Sequence, residues 1–174
     1  TMIRGVALPS CYIMLKLNHK LQFHTMKNYS ILIVDDEPHI IHSIFEILEG
    51  SGKEFTFFQA NNGEIAYQAA KAKIPDLIIS DWDMPIVDGI EFTKLLKEDH
   101  ATAHIPVIMS TGVMLTSENL KTALDAGAVD YIRKPIDPIE LSARVNSMLM
   151  LSERMKEIKK QNQTIKQNNL FLKE

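Results

Sequence analysis

One cysteine, Cys11, stands in the whole chain. A single thiol excludes an intrachain disulfide, so the fold must rest on its core, as expected of a protein in a reducing cytosol. No run of about 18 or more apolar residues occurs, and no transmembrane helix is expected. There is no G-x-x-x-x-G-K loop to cradle a nucleotide phosphate and no Cys/His spacing for zinc. The net charge of -3 provides no excess of positive charge, so bulk electrostatics does not make this chain a nucleic-acid binder. What remains is an ordinary globular composition, 45% apolar and 24% charged, in 174 residues. That is enough for one domain with a real core plus an appendage.

The charge is unevenly spread. Residues 152–174 carry six Lys or Arg against three Glu, a local +3, so the remainder stands at -6. Residues 1–25 mix apolar side chains with His and Lys at no clean period, and Met26 stands just before the first strong strand. This stretch reads as a leader, non-native or an extension, with Met26 as the natural start. The alternative is an extension that packs on the domain.

From Ser30 a regular alternation sets in. Ser30–Val34 is a continuous apolar run, the mark of a strand buried on both faces. Further strands are predicted at Phe55–Gln59, Asp76–Ser80, Ile105–Thr111 and Val129–Arg133. Helices are predicted between them: one from Pro38 to Gly50, one opened by Asn62-Gly63-Glu64, one capped by Asp88 with Glu91, one from Thr116 to Gly127, and one opened by Asp137-Pro138-Ile139-Glu140. Five strands alternating with five helices predict an α/β, doubly wound, five-stranded parallel sheet of flavodoxin-like order 2-1-3-4-5. In such sheets the working site lies beyond the carboxyl ends of the strands.

The residues at those ends are chemically loaded. Asp35 and Asp36 follow the first strand, Asp81 the third, Thr111 the fourth and Lys134 the fifth. The predicted order brings strands one, three and four together. Three carboxylates at close range cannot all stay ionised without a cation. A hard divalent ion with oxygen ligands, Mg²⁺, answers that need. Asp81 is the carboxylate best placed as a nucleophile, with an ammonium and a hydroxyl at hand for phosphoryl oxygens. Lys134-Pro135 predicts a cis peptide bond at Pro135 in a tight turn.

These residues resemble the receiver domain of two-component response regulators (CheY-like). The resemblance rests on Val34-Asp35-Asp36, on Asp81-Trp82-Asp83-Met84-Pro85 followed by Asp88-Gly89, on Pro106-Val107-Ile108-Met109-Ser110-Thr111, and on Lys134-Pro135 after Gly127-Ala128-Val129-Asp130-Tyr131. It covers about residues 29–148. It implies that Asp81 accepts a phosphoryl group from a histidine kinase or phosphotransfer protein. It implies Mg²⁺ held by Asp36, Asp81 and the backbone carbonyl of Asp83, with Asp35 acting indirectly. Thr111 and Lys134 would contact the phosphoryl group, and Tyr131 would change position together with Thr111. Asp83 and Val113 flank the site and should influence access of water to it.

The fifth helix does not stop where the domain should. Leu151, Ile158, Ile165 and Leu172 recur every seven residues, as do Met148, Met155, Asn162 and Asn169. With the first set at d and the second at a, the pattern predicts a parallel coiled-coil dimer in fixed register. The flanks are polar or basic (Arg154, Gln161, Asn168; Lys159, Lys166, Lys173), so the dimer should be weak. The expected organisation is a leader (1–25), a receiver domain (26–148) and a coiled-coil linker helix (149–174), cut before an output domain. A single solvated amphipathic helix is the plainer alternative for the tail. Two other functions match parts of the pattern. Asp81-x-Asp83 resembles the nucleophile pair of haloacid-dehalogenase-like phosphatases, but that pair follows a first strand, and here it follows the third. A dimerisation module with a silent site is the other.

Overall fold

A computed structural model describes residues 27–112 and 116–171, with side chains as far as residue 167. The expected leader over 1–25, Met26, Val113 and the seam position Leu172 lie outside the described residues, as do the side chains of Asn168 and Asn169. The elements are β1 (Asn28–Val34), α1 (Pro38–Glu49), β2 (Glu54–Ala60), α2 (Gly63–Lys73), β3 (Leu77–Asp81), α3 (Gly89–Glu98), β4 (Val107–Thr111), α4 (Ser117–Ala126), β5 (Asp130–Arg133) and α5 (Pro138–Phe171). The five strands form one parallel sheet in the order β2-β1-β3-β4-β5, as the alternation of elements predicts.

The pleat explains why the central strands are apolar throughout. Successive side chains point to opposite faces. Leu32, Val34, Ile78, Val107 and Met109 face one layer with Ala66 and Ala70 of α2, Phe92 and Leu96 of α3, and Ala123 and Ala126 of α4. Ile31, Ile33, Leu77, Ile79 and Ile108 face the other, against Ile41, Ile44 and Leu48 of α1 and Leu141, Val145 and Leu149 of α5. Both faces are covered, which a parallel sheet requires.

Helix starts follow the capping chemistry. Asn62 Oδ1 accepts from Ile65 N at 2.9 Å, Asp88 Oδ1 from Glu91 N at 2.8 Å, Thr116 Oγ1 from Asn119 N at 3.2 Å, and Asp137 Oδ1 from Glu140 N at 2.8 Å. Asp88→Ala should remove one such cap and lower stability by about 1 kcal/mol, read as a lower urea midpoint at unchanged m-value. An unchanged midpoint would show that Glu91 N finds an equivalent acceptor.

α5 extends well past the sheet. At 34 residues it spans roughly 50 Å at about 1.5 Å per residue. Its first half packs on the core, and Ser152 is still buried. From the next residue on, the helix is tied to the N-terminal pole of the sheet. Glu153 accepts from Tyr29 Oη at 2.7 Å and from Lys27 Nζ at 2.6 Å, and Lys156 pairs with Asp76. The hydrogen bond to Glu153, with burial, pushes the Tyr29 phenol up to about 12. None of the described helices is long and apolar enough to cross a membrane.

Candidate functional site

The carboxyl ends of the strands bring the predicted residues together. β1 runs out at Val34, so Asp35 and Asp36 follow at its tip. β3 ends on Asp81 itself, paired in register with Ser110, which places Thr111 one residue further along the neighbouring strand. Lys134 follows the last residue of β5, and its N–H donates to Thr111 O at 2.8 Å. The Lys134–Pro135 peptide is cis.

Around this spot the polar groups interlock. Carboxylate oxygens of Asp35, Asp36 and Asp81 lie within 4.8 Å of one another. The Lys134 ammonium sits 2.8 Å from Asp35 Oδ2, 2.9 Å from Asp81 Oδ1 and 3.8 Å from Glu37 Oε1. Asp35 is 1% exposed and Asp81 6%, whereas Asp36 is open to solvent. Asp35 Oδ1 accepts from Glu37 N at 2.9 Å. Its Oδ2 is enclosed without a hydrogen bond of good geometry, so its approach to Lys134 is an ion pair rather than a directed bond.

Burial is the largest influence on Asp81 and pushes its carboxyl above the usual range. Lys134 works against this, and the nearby Asp35 charge reinforces it. For Lys134, burial alone would lower the ammonium. Its pairing with Asp35 and Asp81 outweighs that and carries it above its ordinary value. The donor set suits a hard cation. Three clustered carboxylates, one with an enclosed oxygen lacking a well-directed donor, supply the anionic oxygens that Mg²⁺ takes.

The loop after Asp81 is built to return the chain close to the strand. Gly89 N donates to Trp82 O at 2.9 Å, and a Cβ on Gly89 would lie 2.1 Å from Asp81 O. Only glycine permits that approach. Gly63 N donates to Val87 O at 3.0 Å and pins the loop to the start of α2. Thr111 is buried, and Tyr131 is half-buried with the Arg144 guanidinium 5.6 Å from its ring centroid. Asp83 is exposed in the loop.

Sequence reasoning missed three features. Glu37 stands near Lys134, where its role as the residue before Pro38 hid it. Ile86 holds φ at 73° while 75% exposed, a left-handed conformation that β-branched residues disfavour, and no apolar pattern signals it. The direct pairing of Asp35 with Lys134 joins residues 99 apart in the chain, beyond any local signal.

The chain is a doubly wound α/β domain with an acidic cluster and a lysine at the carboxyl edge of its sheet, and comparison with known proteins gives its family. The model of the response regulator receiver domain matches residues 31–146, and the chain belongs to this family. It is a signalling module of two-component systems. It is 41% identical over 124 residues to the phosphate regulon transcriptional regulatory protein PhoB of Pseudomonas aeruginosa, covering 71% of this chain and 53% of that protein. It is 35% identical over 142 residues to the DNA-binding dual master transcriptional regulator RpaA of Synechocystis, covering 82% and 58%. The chain thus spans little more than half the length of these curated relatives. Among solved structures it resembles the CheY-like receiver domain protein of Methanospirillum hungatei, with a TM-score of 0.65 and 29% identity over 74% of this chain and 99% of that one.

Proposed function

We propose that this chain is a phosphoacceptor in which Asp81 takes a phosphoryl group from a histidine kinase or phosphotransfer protein. The observation that supports this most is the Lys134 ammonium held between Asp81 and Asp35 in a pocket of three carboxylates. An Asp81 oxygen forms the new O–P bond as the donor's P–N bond breaks, and the bonding pair stays on the donor nitrogen. Lys134 favours the ionised, nucleophilic form of Asp81 and is placed to meet the oxygens of the incoming group. Mg²⁺, held by Asp36, Asp81 and the carbonyl of Asp83 with Asp35 behind them, would offset the negative charge that gathers when phosphate meets carboxylate.

Thr111 and Tyr131 belong to adjacent strands, and the next element along the chain is α5. A shift of Thr111 toward the phosphoryl group, with Tyr131 following, would alter the face of α4, β5 and α5. Residues 26–148 would be the receiver and 149–174 a linker leading to an output domain. The apolar seam of that linker would meet a second copy of itself. Leu151, Met155, Ile158 and Ile165 are exposed, and Asn162 lies between them. Met148, also expected in the seam, is half-buried against the core in the single chain.

Acetyl phosphate with Mg²⁺ should add one phosphoryl group per chain, seen by intact mass. Chelation of the metal beforehand should cut the rate by about a hundredfold or more, the scale on which electrostatic stabilisation of phosphoryl transfer acts. Unchanged uptake in chelator would overturn the metal assignment, and no uptake under either condition would overturn the phosphoacceptor reading.

A further inference from the structure

The pole opposite the acidic pocket carries a second concentration of charge, of opposite sign. His104 lies in the turn leading into β4. Lys97, near the end of α3, reaches the backbone on both sides of it: its Nζ donates to Ala103 O at 3.1 Å and to Ile105 O at 2.7 Å. From the other side α5 presents Lys156, Lys159 and Lys160. With His104, Met155 and Gln163 these line a concavity of about 200 Å³. No carboxylate lines it. Asp76, held by Ser30 N and Oγ at 2.9 and 3.0 Å, pairs with Lys156.

His104 is the unusual member. Its Nδ1 is enclosed and has no hydrogen-bond partner. Burial first, then the charges of Lys159, Lys156 and Lys97, hold the imidazole below its ordinary value. The charged groups facing it are thus Lys97 from α3, Lys156, Lys159 and Lys160 from α5, and Asp76 from the turn before β3 through its pair with Lys156. A solvated helix face would explain scattered lysines. It does not explain why two of them, free of acidic partners in the concavity lining, converge with a third on an enclosed imidazole.

We propose that this concavity is a binding site for a phosphate-type oxyanion carrying more than one charge. The ammonium groups of Lys159 and Lys160 meet its oxygens, and Lys156, fixed by Asp76, supplies the rigid wall. Lysine serves phosphate as a point charge and needs no planar match, so a phosphate or diphosphate group suits the site better than a carboxylate that calls for an arginine fork. The space is several times the roughly 30 Å³ that one water occupies, enough for such a group. Neutralising the lysines removes the part of the depression of His104 that their charges cause, so binding is coupled to proton uptake by the imidazole. A bound anion bridges the turn before β4 to α5 where the helix leaves the domain. The site is independent of the Asp81 assignment.

The test is an NMR titration of the whole chain with sodium pyrophosphate at constant ionic strength, with a parallel titration by ADP. Saturable shifts at His104 and residues 156–163 are expected, with the His104 titration midpoint raised. Lys159→Gln/Lys160→Gln should weaken binding by about tenfold or more, the scale of lost charge-assisted hydrogen bonds. Lys73→Gln, whose ammonium lies over the Phe58 ring and which does not line the concavity, should leave it unchanged. Equal affinity for ADP would show that a nucleotide's diphosphate is accepted, and preference for pyrophosphate would show a free anion; both support the site. Shifts that stay linear with concentration, or the same affinity in the double variant, would overturn it. Phosphoryl uptake from acetyl phosphate by the double variant should equal that of the wild type, which separates this site from the acidic pocket.

Discussion

Asp81→Asn is expected to abolish phosphoryl uptake from acetyl phosphate while leaving the domain at least as stable as the wild type at neutral pH. The amide is nearly the same size and keeps an oxygen facing Lys134, but it is not a nucleophile for phosphorus at this pH. The stability half of the prediction comes from the direction of the Asp81 shift. Burial raises its folded-state value above the ordinary carboxylate value, with Asp35 adding to the effect and Lys134 opposing it. Such a group contributes stability below the unfolded-state value, and that contribution is lost as pH rises through the folded-state value. At neutral pH the wild type therefore holds Asp81 ionised at a disadvantage, and the amide removes it. Lys134 retains Asp35 at 2.8 Å, so the substitution does not strand a buried ammonium. Urea midpoints measured from acid to neutral pH should converge at the acid end and separate toward neutrality, with the variant higher. A labelled variant would move the acceptor elsewhere. A variant much less stable at neutral pH would mean that the Lys134–Asp81 pair outweighs the desolvation of Asp81.

The parts of the molecule legible in the sequence were those set by local periodicity. Ser30–Val34 and Leu77–Ile79 announced buried strands because both faces of a parallel strand are apolar. Asn62, Asp88, Thr116 and Asp137 announced helix starts because an N-cap needs a short polar side chain at one position. The acidic cluster followed from topology, once strands one and three were placed side by side. Local pattern carries no information on contacts between residues far apart. Tyr29 and Glu153 are 124 residues apart, and Lys156 and Asp76 are 80 apart, so the clamp of α5 on the base of the sheet had no sequence signal. The same holds for the seam at Met148. A heptad counts positions but not neighbours, and only the packed structure reveals that this side chain is half-buried against the core. Ile86 illustrates a third limit. Its left-handed backbone is imposed by the loop's closure onto Gly89 and Gly63, against the residue's own preference.

Ile158→Asp/Ile165→Asp is expected to convert a weak, concentration-dependent dimer into a monomer without touching the receiver. The geometry of α5 separates the two roles. Leu141, Val145, Leu149 and Ser152 turn toward the domain and are buried. Leu151, Met155, Ile158 and Ile165 are 40%, 47%, 57% and 55% exposed, on a stripe roughly 110° away around the helix at about 100° per residue. A carboxylate at 158 or 165 therefore loses nothing in the folded monomer, and phosphoryl uptake should be unchanged. In the dimer each Ile contributes about 1.5–3 kcal/mol of burial, so losing four of them should weaken association by more than about a thousandfold. The affinity of the proposed dimer would start from a modest value. Arg154 of one helix faces Lys159 of the other in a parallel pair, and Asn162 fixes register at the expense of stability. Added salt screens that repulsion, so the wild-type dimer should tighten between low and moderate ionic strength, opposite to a dimer held by ion pairs. Sedimentation velocity of both proteins across a concentration and salt series measures all of this. A variant that still dimerises would place the interface on another surface. A wild type that weakens with salt would mean that the basic flanks are matched by acidic groups rather than by each other.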